Sequence, residues 1–228
     1  MKRFASRYSI YKDKKNLARL AASVLFLAVS IFATYFAILY ATDHASFPVT
    51  DIILSNIPTY NVDAIFLYGP VIFWTVIGVY LIFFAPEKIP FSLKTIALFL
   101  LIRSAFLCMT HIGPFPSHAL IRGGGIIGVF NSGDDLFFSS HTGLPFLMAL
   151  ILWDKKPWRI FCIIGSIFFG IIVLMAHLHY SIDVFAAFFI TYAIYRIAFR
   201  FLKREKLLFD KHVENDPVVS ALNSADLE

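Results

Sequence analysis

The sequence predicts an all-α polytopic membrane protein, a six-transmembrane-helix bundle with both termini cytoplasmic. Three observations carry that prediction. The chain is 59% hydrophobic, with 26 Phe and a mean hydropathy of +0.75, whereas soluble domains hold about 45–50% apolar residues. Its apolar residues gather into six runs close to the roughly 20 residues that a helix needs to cross a bilayer core of about 30 Å. Eighteen of its twenty basic residues fall on one side of the topology those runs imply. No strand alternation or internal repeat competes with this reading.

The first run, residues 17–40, follows a basic segment over residues 1–16. It is longer than a signal-peptide core and lacks a small-residue cleavage site, so it is expected to persist as a span. The patch Asp51-Ile52-Ile53-Leu54, bounded by Pro48 and Pro58, is too short to cross and is expected to lie along the interface. Residues 64–85 and 93–112 make the second and third spans. The fourth, residues 136–153, is the weakest because Ser139-Ser140-His141-Thr142-Gly143 interrupts it. The fifth and sixth, residues 160–176 and 182–201, are separated only by residues 177–181. One transmembrane domain over residues 17–205 results, and the polar stretch 206–228 reads as a disordered cytoplasmic tail. Cys108 and Cys162 both lie inside apolar runs and read as small core residues.

Counting the basic residues around these spans places both termini in the cytoplasm by the positive-inside rule. The formal charge of +5 is therefore a topology signal and excludes nucleic acid as the expected partner. The exoplasmic side (periplasmic, extracellular or lumenal) receives Asp43, Asp51, Asp63, Asp134 and Asp135, the His141 cluster and the segment from His177 to Asp183.

Titratable groups at such places are expensive and mark function. Asp183 follows His179 by four residues, a spacing that brings side chains together on a helix. A carboxylate on one ring nitrogen fixes the tautomer and leaves the other nitrogen basic. His177, two residues earlier, would point to the opposite side of a helix. The alternative is a pair of interfacial histidines with Asp183 as the N-cap of the sixth span. His141 follows Ser139 and Ser140, which suit a helix cap, and Pro145 suits a first turn. The N–H groups of such a helix start favour phosphate; the alternative is a cap cluster with an incidental histidine. Arg103, mid-span, would cost at least about 2.5 kcal/mol unpaired. It is expected either to meet a phosphodiester or to pair with an acid such as Asp135 or Asp183. Arg122 and Gly123-Gly124-Gly125 give only a weak phosphate-loop signal. A metal bound by His177-x-His179 is the rival chemistry, though that spacing suits a strand better than a helix.

The string Ala176-His177-Leu178-His179-Tyr180-Ser181-Ile182-Asp183-Val184 resembles the Ala-His-x-His-Tyr-x-x-Asp-Val motif of the sphingomyelin synthase family. That family is the head-group-transferring branch of the type-2 phosphatidic acid phosphatase superfamily. Asp135-Leu136-Phe137-Phe138-Ser139-Ser140-His141-Thr142 is similar to its Asp-x-x-x-Ser-Gly-His-Thr motif. Arg103 with Pro114-Phe115-Pro116, and Pro48-Val49-Thr50-Asp51 with Pro58, are looser likenesses. The chain departs from the family at Ser140, where the motif has Gly, and at Asp134, where Gly is usual. Val173 stands where the superfamily's phosphatases carry an arginine, and their Lys-x6-Arg-Pro element is missing. Loss of those cations points to the transferase branch.

The resemblance implies catalytic residues His179 as nucleophile, Asp183 as its orienter and His141 as acid and base. Arg103 would bind the substrate phosphate, with Asp135, Tyr180 and Ser139 in support and neither metal nor cofactor required. The implied partners are membrane lipids: a glycerophospholipid donor and ceramide or a diacylglycerol-type alcohol as acceptor of phosphocholine or phosphoethanolamine. With water as acceptor, the same site makes a lipid phosphate phosphatase or a phospholipase C-like hydrolase. A small transporter or assembly factor is the non-enzymatic alternative. The oligomeric state is left open.

Overall fold

The computed structural model describes residues 8–119, 136–202 and Glu205. Among the described residues there is no strand, and six helices account for the fold. They are α1 (Lys14–Asp43), α2 (Asp63–Phe84), α3 (Ile89–Met109), α4 (Ser140–Ile151), α5 (Lys156–Met175) and α6 (Ser181–Phe201). Five are long and apolar enough to cross a membrane, the third counted from Pro86. Their outward faces carry large apolar side chains, Phe32, Ile72 and Phe189 among them, each more than half exposed. This is the surface of a multi-pass membrane protein.

Local chemistry sets the helix ends. Asp13 caps α1 by accepting from the Lys15 amide at 3.0 Å. α3 and α5 begin earlier than hydropathy predicts because Pro90 and Pro157 suit a first helical turn, where no N–H is needed. The expected fourth span shrinks most. α4 has 12 residues, about 18 Å at 1.5 Å per residue, and residues 136–139 before it are not helical. Non-helical backbone is tolerated at membrane depth only where protein buries it, and Leu136, Phe138 and Ser139 are all buried.

α4 is the centre of the bundle, packed on α3, α5 and α6. Gly143 makes that closeness possible: a Cβ there would lie 2.8 Å from Phe99 on α3 and from Thr191 Oγ1 on α6. Helix propensity favours Gly→Ala by about 1 kcal/mol, but the clash reverses the sign. Gly143→Ala is expected to cost about 1–3 kcal/mol and to lower the melting midpoint in detergent by several degrees, as thermal unfolding would measure. α1 lies along α3 through the buried small face Ser23, Ser30, Thr34, Ala37 and Ala41. Thr34 Oγ1 meets Ser104 Oγ there at 3.0 Å.

The two ends of the bundle differ. At one, Lys88 pairs with Asp154 at 2.6 Å, Lys94 pairs with Glu205, and the Tyr11 hydroxyl donates to the Pro86 carbonyl. Two lysines read from sequence purely as topology markers are therefore also structural cations. The opposite end carries both histidine motifs. There the expected interfacial patch turns inward: Ile52 is exposed, but Asp51 and Leu54 are buried around a short 3-10 turn at Leu54–Asn56. The 206–228 tail, Arg122 and the glycine run lie outside the described residues.

Candidate active site

His179 and Asp183 are held by the start of α6. Their four-residue spacing works, but not on a continuous helix: His179 precedes the N-cap residue Tyr180, and Asp183 sits in the first turn. Asp183 Oδ2 accepts the Tyr180 amide at 3.0 Å and lies 3.4 Å from His179 Nδ1. The second contact is longer than the usual N–H···O range of about 2.7–3.2 Å, as is common before substrate binds. Asp183 is thus not the N-cap but the acid of a capping box, and the same oxygen faces the histidine. Both side chains are almost wholly buried, at 3% and 1% exposure.

The second motif meets the first through backbone. The Ser139 amide donates to the Asp183 carbonyl at 3.0 Å, so the starts of α4 and α6 are fastened together. Ser139 occupies the N-cap position of α4, yet its side chain makes no cap bond, contrary to expectation. Its hydroxyl is buried with no hydrogen-bond partner among the described residues. Pro145 also falls beyond the expected first turn, inside α4, where it has no N–H to give the helical ladder. The His141 ring packs 4.5 Å from the Phe66 ring of α2. With Pro70, Phe73, Trp74, Leu144 and Phe169 it borders a half-open, largely apolar pocket of about 90 Å³. Arg103 is 1% exposed, and its Nε donates to the Phe138 carbonyl at 3.1 Å, anchoring the segment that leads into α4. Asp135 lies outside the described residues.

Tyr180 does more than support. Its hydroxyl donates to the Gly113 carbonyl at 2.8 Å and accepts from the Val49 amide at 3.1 Å. Two loops are laced to the start of α6 through one phenol, which burial keeps protonated by raising its pKa. Gly113 is required in this knot, since a Cβ would run into the Ser46 carbonyl oxygen.

His177 is not on a helix facing away; it follows α5 in the left-handed region, at φ 55°. Its Nδ1 meets Ser117 Oγ at 2.7 Å and Thr59 Oγ1 at 3.2 Å, and Phe115 packs edge-on against it. It therefore ties the residue 59 and residue 117 loops to the end of α5. Burial lowers its pKa, with the Asp51 carboxylate pulling the other way. A depressed folded pKa means that the unfolded chain binds the proton more readily. Stability is then full above about pH 6.5 and falls as the pH drops below it. The melting midpoint should decline from pH 7.5 to 5.5. His177→Asn, which tolerates the left-handed backbone and keeps a polar atom near Nδ1, should flatten that decline.

Residues 133–200 match the PAP2 superfamily C-terminal family model. The matched stretch contains α4, α5 and all but the last residue of α6 with both histidine motifs, while α1–α3, Asp51 and Arg103 lie outside it. No curated protein and no solved structure matches the chain. The PAP2 match supports the type-2 phosphatidic acid phosphatase superfamily and is consistent with phosphatase or phosphotransferase activity. Sequence reasoning singled out His141, His179 and Asp183 in this stretch, but missed the roles of Asp51, Thr59, Gly113 and Ser117. The one available signal was Asp51, a lone acid in a proline-bounded apolar patch.

Proposed function

We propose that this chain is a membrane-embedded transferase that moves phosphocholine or phosphoethanolamine from a glycerophospholipid to ceramide or a related lipid alcohol. The observation that carries this reading is the Ser139–Asp183 backbone bond, which fastens two histidine-bearing helix starts together in a buried site. Asp183 faces Nδ1 of His179, leaving Nε2 as the nucleophile. Nε2 attacks phosphorus, the bond from phosphorus to the diacylglycerol oxygen breaks, and His141 gives that oxygen a proton. The acceptor hydroxyl then attacks the phosphohistidine, its proton passes to His141, and the P–N bond breaks. Arg103 and the N–H groups opening α4 meet the phosphoryl charge. Asp135 and the Ser139 hydroxyl support them. Both termini are taken as cytoplasmic and the site as exoplasmic, from the distribution of basic residues.

The site's burial favours a lipid alcohol over water as acceptor. Purified protein is incubated with head-group-labelled phosphatidylcholine or phosphatidylethanolamine, with and without ceramide. Label entering a new phospholipid only when ceramide is present is the expected result. Free phosphorylated head group released without any acceptor would instead make the protein a hydrolase.

A further inference from the structure

One carboxylate outside the proposed catalytic set grips the start of α6. Asp51 is 7% exposed. Its Oδ1 accepts the amides of Ile53 at 2.8 Å and Leu54 at 3.0 Å, closing a turn within its own loop. Its Oδ2 accepts the amide of Ser181 at 2.7 Å and the Ser181 hydroxyl at 2.8 Å, bridging 130 positions of chain. Burial alone would raise its pKa. The amides of Leu54, Ser181 and Ile53, with the Ser181 hydroxyl, outweigh burial and bring the carboxyl below its ordinary range.

The location gives this strap its meaning. Ser181 is the first residue of α6, two after His179 and two before Asp183. The opening N–H groups of a helix have no intrahelical partner and attract carboxylates. Asp183 takes the Tyr180 amide and Asp51 takes the next one. His179 stands on non-helical backbone, so its direction follows from how this first turn is anchored. We propose that Asp51 is a positioning residue for the transfer proposed above, fixing α6 so that the His179–Asp183 pair meets the phosphate. The inference rests on His179 being the nucleophile. Misplacement of a reacting group by about 1 Å costs roughly 100-fold in rate, which sets the size of effect to look for.

Two substitutions cut the strap from opposite ends, in the full chain reconstituted in nanodiscs. Asp51→Asn keeps the shape but replaces one accepting oxygen with an NH2 group. Ser181→Pro removes both donors on the α6 side. Proline is favoured at a first helical position, and Tyr180 already has the extended ψ of 156° that a residue before proline needs. Each single variant is expected to lower kcat for head-group transfer about 100-fold with KM for the phospholipid within about threefold. The double variant should be no slower than either single one. Hydrogen exchange of the amides at residues 182–184 should speed up in both. Wild-type kcat in either single variant would overturn the proposal, as would multiplying losses in the double. If the wild-type protein transfers no label at all, the functional reading fails, and exchange still decides the strap. Unchanged protection of the first α6 turn in Asp51→Asn would then refute it.

Discussion

His179→Ala is expected to abolish head-group transfer, with a loss of about 10⁴-fold or more, while the protein still inserts and folds. The chemical reason is the partner at Nδ1: His179 faces the Asp183 carboxylate there, whereas the neighbouring His177 meets the neutral hydroxyls of Ser117 and Thr59, which bring no negative charge to a phosphorylated ring. The fold should survive because the contact of the His179 side chain with Asp183 is the long one, at 3.4 Å. The shorter bonds that anchor this region belong to Tyr180, Ser181 and the Asp183 backbone. Truncating the buried imidazole ring to a methyl leaves a cavity worth about 2–4 kcal/mol, which the surrounding helices are expected to tolerate. Acid-labile label on wild-type protein and its loss in the variant would identify the phosphohistidine directly. Wild-type turnover by His179→Ala would show that the nucleophile lies elsewhere.

The residues that carry the proposed chemistry were legible in the sequence because hydropathy makes polar clusters conspicuous. His141, His179, Asp183 and Arg103 each interrupt or terminate an apolar run, and burial confirms them as interior, though His141 is only partly covered. What was not legible was backbone geometry. The run at residues 136–153 has the composition of a span, but residues 136–139 are non-helical and bend at Phe137 and Phe138, so α4 begins only at Ser140 and its motif enters the protein interior. Likewise, helical periodicity put His177 on the wrong footing, since a left-handed residue between α5 and α6 breaks the period there. Asp51 stood out as a lone acid in its patch, but its hold on α6 was not legible: Ser181 is 130 residues away, and no local pattern predicts which distant amide a loop carboxylate will find.

Asp183→Asn and Asp183→Ala are expected to separate two roles that share one oxygen. Oδ2 accepts the Tyr180 amide and faces His179 Nδ1, so the carboxylate is both a helix cap and an orienter. Alanine loses both: the missing cap should cost about 0.5–2 kcal/mol, read as a lower melting midpoint, and turnover should fall about 10⁴-fold. Asparagine can still present an oxygen to the Tyr180 amide, so its melting midpoint should stay near that of wild type. Its neutral amide cannot stabilise the positive charge that the His179 ring acquires as phosphorus bonds to Nε2. Turnover by Asp183→Asn should therefore fall by at least about 10²-fold despite an intact cap. The Ser139–Asp183 bond uses main-chain atoms only, so neither substitution unfastens α4 from α6, and lost activity cannot be blamed on that joint. Near-normal turnover in Asp183→Asn, beside a destabilised Asp183→Ala, would reduce Asp183 to a cap and remove the orienter from the mechanism.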